Sequence, residues 1–216
     1  MVYFLSKDMI SFPHPSLAAE DSLLAVGGEL SVERLILAYE WGIFPWDTIE
    51  VDGVEEIAWF APQERFVIFP EKIKISKSMK RIIKSSTYTI KVNHNFKAVI
   101  DECSKIPRSG QGTETWISEK VKKAYCKLHA IGLAQSVEVY DGEELVGGLY
   151  GVISGDVFCG ESMFSKRSNT SKMALIWLAQ NGGYKLIDCQ FRTEHLASMG
   201  GEYISLKEYL QILGRE

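Results

Sequence analysis

Three apolar runs, Ala134 to Tyr140, Glu144 to Ile153 and Val157 to Cys159, follow one another with only two short breaks. Asp141-Gly142 makes the first break and Ser154-Gly155 the second. Pairs of this kind supply the backbone conformations that a tight hairpin loop demands. Strands linked this closely pair antiparallel, because a parallel partner needs a crossover of a dozen residues or more. The chain is therefore committed to an antiparallel meander, and the segments around it must cover that sheet. They read as helices and further strands. Ser76 can cap a helix through about Ile83, Tyr88 to Val92 is a strand, and Phe96 to Cys103 is a helix. Ser118 can cap a long amphipathic helix that ends at Gly132. Another helix runs from about Ser168 to Gln180 and stops at Gly182-Gly183. A strand, Tyr184 to Cys189, comes next, and Ser205 with Glu208 has capping-box spacing before a last helix. Strands clustered between long helices predict an α+β fold with a mixed, largely antiparallel sheet flanked by helices.

The first third is different, rich in turns and aromatic residues. Its opening residues suit a short strand or a docked arm and lack the charged start and apolar block of a signal peptide. Ser31 caps a helix over Val32 to Trp41, Gly42 ends it, and Phe44-Pro45-Trp46 turns the chain. Pro62 and Pro70 bracket a further apolar run, Phe66 to Phe69. The expected division is a small N-terminal domain, residues 1–70, and a second domain, residues 71–216.

Composition excludes several classes. No apolar stretch is long enough to span a bilayer, so no membrane partner is expected. Cys103, Cys126, Cys159 and Cys189 form no CxxC pair, and His14, His94, His129 and His195 have no HxxxH spacing, so no metal is expected. Unpaired cysteines suit a reducing, cytoplasmic setting. A net charge of −4 argues against a protein that coats DNA or RNA along its surface, while leaving room for one local RNA contact.

Chemistry is suggested where carboxylates interrupt core strands. Glu161 lies inside Val157 to Ser165, and Asp188 lies inside Lys185 to Gln190. Burying an unpaired charge is costly. Each acid therefore either satisfies buried backbone, pairs with a cation such as Arg192, or serves a site. On a strand, Asp188 and Gln190 would share one face. A carboxylate beside a primary amide can orient it, and the amide oxygen can then accept a proton from an amine. Positioning and proton handling of that kind suit aminolysis of an ester. Ser162 has no evident base and reads as a packing or hydrogen-bonding residue. The stretch Glu71 to Lys84 is a basic island. Lys77, Lys80, Arg81 and Lys84 recur at helical spacing, with Met79, Ile82 and Ile83 opposite. A solvated face and a phosphate contact both fit. Trp59 and Trp116 lie near loops, and partial exposure is expected for both.

Together these segments resemble the leucyl/phenylalanyl-tRNA–protein transferases. The resemblance runs through Asp21 to Asp47, Trp59-Phe60-Ala61-Pro62, Ser76 to Arg81, Thr115-Trp116-Ile117, Ser136 to Val139, Leu145 to Gly151 and the two acid-bearing segments. It implies an acyltransferase-like fold, similar to the GNAT acetyltransferases, behind a small N-terminal domain. It implies transfer of Leu or Phe, and less readily Met, from aminoacyl-tRNA to proteins beginning with Arg or Lys, with no cofactor. The products enter degradation by the N-end rule. On matching positions, Asp188 and Gln190 stand at the reacting amine and Glu161 near the basic acceptor residue. Leu149, Phe158, Leu175, Leu178 and Ile187 would line the aminoacyl pocket. Trp59 and Trp116 would hold the terminal adenosine, and the Lys77, Lys80, Arg81 and Lys84 face the acceptor stem. Family members often carry a second tryptophan where this chain has Phe60.

Three alternatives remain at this point. A CoA-dependent N-acyltransferase would need a pyrophosphate loop at a helix start. Gln180 to Lys185 fits only partly and lies at a helix end, and the glycines of Arg108 to Thr113 are out of step. A non-catalytic RNA-binding module would leave the buried acids without a task. A sibling transferase specific for acidic N-termini is opposed by Glu161, whose charge would repel the acceptor.

Overall fold

Hairpin signals set the frame of both parts of the molecule. The computed structural model describes residues 2–106 and 116–215. The chain forms two compact units, Met1–Arg65 with Tyr203–Glu216, and Phe66–Glu202. Sequence suggests a single cut near residue 70; the compact units instead place the residues from Tyr203 onward with the N-terminal ones.

The smaller unit carries β1 (Tyr3–Leu5), β2 (Leu23–Gly27), α1 (Val32–Glu40), β3 (Phe44–Val51) and β4 (Val54–Phe60). Its sheet runs β1-β2-β4-β3, with β1 parallel to β2 and the other pairs antiparallel. Helix α1 forms as expected: the Ser31 hydroxyl accepts from the Arg34 amide, and Gly42 past its end sits at φ +66°. The sheet itself is not anticipated. Phe44-Pro45-Trp46 opens β3 rather than turning the chain, and Pro45 is tolerated because β3 is an edge strand. The hairpin turns at Asp52 (φ +50°) and Gly53 (φ +77°), the conformation an Asp-Gly pair favours. Buried Arg34 donates to the carbonyls of Ser6 (2.8 Å) and Met9 (2.9 Å) and so docks the N-terminal arm.

The larger unit takes over within β5 (Glu64–Ile68). It continues through α2 (Lys77–Lys84), β6 (Thr89–Val92), α3 (Phe96–Cys103), α4 (Glu119–Ala130), β7 (Ala134–Asp141), β8 (Glu144–Ser154), β9 (Val157–Ser165), α5 (Thr170–Asn181), β10 (Leu186–Asp188) and α6 (Glu194–Ser198). β11 (Glu202–Ser205) then leads the chain to α7 (Leu206–Ile212), whose capping box between Ser205 and Glu208 is complete. Within this unit the sheet runs β5-β10-β9-β8-β7-β6. All these neighbours pair antiparallel except β9 and β10. That pair is parallel because α5 provides the crossover between them. The fold is thus α+β with a mixed, largely antiparallel sheet.

Alternation along the strands sorts the sheet into two faces. Leu149, Phe158 and Ile187 pack with α5 residues Leu175 and Leu178 in one apolar cluster. Tyr150, one residue from Leu149, meets Phe96 of α3 and Tyr125 of α4 edge to face, at centroid distances of 5.7 and 5.8 Å. One face therefore carries the apolar cluster under α5, and the other carries the Phe96, Tyr125 and Tyr150 rings under α3 and α4.

Candidate active site

The site begins as an irregularity in β9. Tyr150 pairs with Ser162 and Gly151 with Gly160, so Glu161 is an extra residue with no partner across the ladder. Such a bulge re-aims a side chain and places neighbours on the same side. Glu161 accordingly turns to Tyr125 on α4, while Ser162 meets Cys103 on α3. The narrow approach of β8 needs Gly151: a Cβ there would stand 2.3 Å from the Cys159 carbonyl oxygen and 2.5 Å from the Phe158 ring.

Both oxygens of Glu161 are engaged. Tyr125 donates its hydroxyl to Oε2 at 2.9 Å, and Gln190 donates its side-chain N–H to Oε1 at 3.1 Å. A carboxylate only accepts, so this contact fixes which end of the Gln190 amide faces Glu161 and turns the amide oxygen away as an acceptor. Asp188 holds the same residue from the backbone side, its Oδ1 accepting from the Gln190 N–H at 2.8 Å. Glu161, Asp188 and Gln190 are all buried, with 6%, 2% and 3% of their surface exposed.

Strand alternation is not what brings Asp188 and Gln190 together, contrary to the sequence expectation. β10 ends at Asp188, and Gln190 adopts φ +61°. A non-glycine residue there costs on the order of 1–3 kcal/mol and persists only where surrounding contacts over-determine it. Here those contacts are the Asp188 carboxylate and β5, where the Phe66 N–H donates to the Gln190 carbonyl at 3.2 Å. Pairing of the acids with Arg192 does not occur: that side chain lies in the open and bonds Glu194 at 2.7 Å.

The remaining candidates fall in several places. Leu149, Phe158, Leu175, Leu178 and Ile187 all belong to the cluster beneath α5, each 3% exposed or less. Trp116 is half-buried and meets Tyr125 edge to face at 6.5 Å, so one ring separates it from Glu161. Trp59 corrects an expectation. It is 0% exposed in the smaller unit, its indole N–H donates to the Gly27 carbonyl at 2.9 Å, and Phe12 covers it edge-on. Its position in β4, paired with β2 and β3, buries it as core rather than as a loop-borne plate. Thr115 and the polar run Arg108 to Thr115 lie outside the described residues.

Helix α2 forms on its Ser76 cap, with Met79 buried and Lys77, Lys80, Arg81 and Lys84 all exposed. None of the four has an ion pair among the described residues. Ile83 departs from the expected apolar side and is 38% exposed. No cluster of three His, Cys, Asp or Glu side chains with metal-binding geometry occurs among the described residues, and no described helix is long and apolar enough to cross a membrane. Gln180 to Lys185 lies at the C-terminal end of α5, where carbonyls rather than amides face outward.

Tyr125 is the residue that sequence reasoning missed. It recurs with Val121 and Leu128 in the apolar stripe of α4, and nothing in that spacing separates a core tyrosine from one whose hydroxyl holds a site carboxylate.

Comparison with known proteins agrees along the whole chain. Residues 67–214 match the family model for leucyl/phenylalanyl-tRNA protein transferase, and residues 28–63 match the model for the N-terminal domain of the same proteins. A leucyl/phenylalanyl-tRNA–protein transferase of Flavobacterium johnsoniae is 49% identical over 98% of this chain and 99% of its own. One from Syntrophobacter fumaroxidans is 45% identical, and one from Shigella dysenteriae 44%, each over 98% of this chain and 89% of its own. Among solved structures, a GCN5-related N-acetyltransferase from Kribbella flavida has a TM-score of 0.42 at 11% identity, over 87% of this chain and 67% of its own. With two family models covering most of its length, and relatives near half identical from end to end, the chain belongs to the leucyl/phenylalanyl-tRNA–protein transferase family.

Proposed function

We propose that this protein transfers leucine or phenylalanine, and less readily methionine, from aminoacyl-tRNA to the α-amine of proteins that begin with Arg or Lys. In this reading the modified proteins pass to degradation by the N-end rule in the cytoplasm. The observation that carries it is the Gln190 amide, fixed from one side by Asp188 and from the other by Glu161.

The chemistry asks for little more than placement. An aminoacyl ester is already activated. The neutral α-amine attacks its carbonyl carbon, a C–N bond forms, the bond to the ribose oxygen breaks, and the amine proton ends on that oxygen. The Gln190 amide oxygen accepts a hydrogen bond from the attacking amine, and Asp188 holds the backbone that presents it. Orientation of this sort supplies much of the acceleration in reactions between two bound partners. A negative Glu161 favours a cationic acceptor side chain, and the cluster under α5 receives the apolar donor side chain. Trp116 stacks on the terminal adenosine, as aromatic side chains commonly do for unpaired RNA ends. Lys77, Lys80, Arg81 and Lys84 contact acceptor-stem phosphates, giving sequence-tolerant, salt-sensitive binding.

The test is transfer of radiolabelled leucine from leucyl-tRNA to a peptide beginning with Arg, beside a twin beginning with Asp. Label on the Arg peptide alone is expected. Label on the Asp peptide would instead establish acidic-acceptor specificity, and label on neither, with acylation from acetyl-CoA, would replace the reading by a CoA-dependent one.

A further inference from the structure

Apart from the residues around Glu161, an open cavity lies at the start of α2, its lining divided evenly between polar and apolar residues. A cavity of about 200 Å³ is lined there by Lys74, Ser76, Lys172 and Ser198, with Met79 and Met199 among its apolar walls. The polar groups come from three elements: the approach to α2, the first turn of α5 and the end of α6. That space is large enough to admit a phosphate group.

The lysines of this unit divide by whether a carboxylate is at hand, and the two at the cavity share with Lys77, Lys80 and Lys84 the absence of an ion pair among the described residues. Lys97, Lys105, Lys122, Lys166 and Lys185 all lie within 3.3 Å of a carboxylate oxygen. Lys74 and Lys172 have no ion pair among the described residues. The nearby acids Glu202 and Glu194 are taken by Lys72 and Arg192. Lys172 is partly buried, on the first turn of its helix. Its charge is felt by half-buried His195, whose pKa is held down first by burial and then by Lys172. The Nε2 of His195 is itself buried with no hydrogen-bond partner among the described residues. At the mouth, Ser76 uses its hydroxyl to cap Met79, while the amides preceding Met79 in the first turn have no partner within the helix. Two lysines without an ion pair thus lie beside the first-turn amides of α2, while the Ser198 hydroxyl is already bonded to the His195 carbonyl at 2.6 Å, and the group that cations and free amides accept together is an oxyanion.

We propose that this cavity is a phosphate subsite for the RNA backbone of the aminoacyl donor, a proposal that rests on the transferase reading above. RNA is favoured over an isolated ion because the cations do not stop at the cavity. Lys77, Lys80, Arg81 and Lys84 continue along α2 for about 10 Å at 1.5 Å per residue, a track that suits a polyanion. Lys172 and Ser198 extend the contact beyond that helix, so the subsite is a separate element of donor binding.

The experiment uses the full chain with two donors, leucyl-tRNA and leucyl-adenosine, which carries the same ester without a phosphate. Lys172→Gln and Lys74→Gln are each compared with wild type and with Lys172→Arg, which keeps the charge. Expected are a roughly tenfold rise in KM for leucyl-tRNA in each Gln variant and a fall of about 1 in the slope of log affinity against log salt per lysine removed. Lys172→Arg should restore most of the affinity, and the loss should be confined to the phosphate-bearing donor. An unchanged KM for leucyl-tRNA would overturn the subsite. So would equal loss with both donors, which would place the lysines in folding or chemistry. A change in KM for the acceptor peptide alone would assign the cavity to an acidic protein surface. A wild-type chain that uses neither donor would remove the transferase reading itself, a result distinct from all of these.

Discussion

The hydrogen bond from Tyr125 to Glu161 is the contact on which the buried acid most visibly depends, and it can be isolated. Tyr125→Phe removes one oxygen and leaves the ring, which meets Trp116 and Tyr150 edge to face. No cavity large enough for a side chain is created, so the loss is that of one donor to a carboxylate. Hydrogen bonds to charged groups contribute about 1.5–3 kcal/mol. At about 2 kcal/mol per molar urea for a domain of this size, the unfolding midpoint should fall by about 0.7–1.5 M. Glu161→Gln supplies the other edge of a double-mutant cycle, since it removes the charge while keeping a group that can face Gln190. The coupling between the two substitutions, measured by urea unfolding followed by circular dichroism, should reach at least about 1 kcal/mol. Additive effects would show that the hydroxyl and the carboxylate act independently, and the account of Glu161 as a group held at both oxygens would fail.

Four further outcomes follow from the same geometry. Asp188→Ala and Gln190→Ala should each lower turnover by at least roughly 100-fold, the scale of a positioned proton acceptor, while filter-binding affinity for tRNA stays within about twofold; full activity in both would remove them from the reaction. Neutralising Lys77, Lys80, Arg81 and Lys84 together should weaken tRNA binding and lower its salt slope by about 3–4, read in the same binding assay across a salt series. Arg34→Ala should destabilise the fold by about 2–3 kcal/mol in urea unfolding, because carbonyls of Ser6 and Met9 lose a charged donor. Burial pushes the Cys103 thiol up to about 12, so at pH 8 it should resist alkylation in the folded protein and react only once the chain is unfolded, as mass spectrometry would record.

Much of the larger unit was legible because its signals are local. Gly142 and Gly155 announce the meander, although the loops they open are Gly142-Glu143 and Gly155-Asp156, one residue later than the pairs read from sequence, and the caps at Ser76 and Ser118 fix two helix starts. The four-stranded sheet of the smaller unit was missed although Asp52-Gly53 is itself a hairpin signal. Its outer strands are half-exposed, so polar residues interrupt the apolar pattern, and Pro45 reads as a breaker until the strand is known to lie at an edge. At the site, sequence singled out Glu161 and Asp188 because they interrupt apolar runs, and Gln190 by its two-residue spacing from Asp188. It misjudged how they meet, because the bulge at Glu161 and the left-handed backbone at Gln190 both depart from regular strand geometry. Tyr125 and the indole of Trp59 show the matching limit: burial direction depends on which element packs opposite, and that is decided by contacts far apart in the chain.

The bulge has a consequence for how such a chain tolerates change. Pairing resumes on either side of Glu161, with Gly160 opposite Gly151 and Ser162 opposite Tyr150. Remove the one intervening residue and the same ladder can close without shifting any other pair. This carboxylate is therefore supernumerary to the sheet. Strand order, register and the apolar layer beneath α5 make no demand on its identity, which answers only to Tyr125, Gln190 and whatever enters beside them. A chain built this way can change what it recognises at that point while its architecture stays untouched.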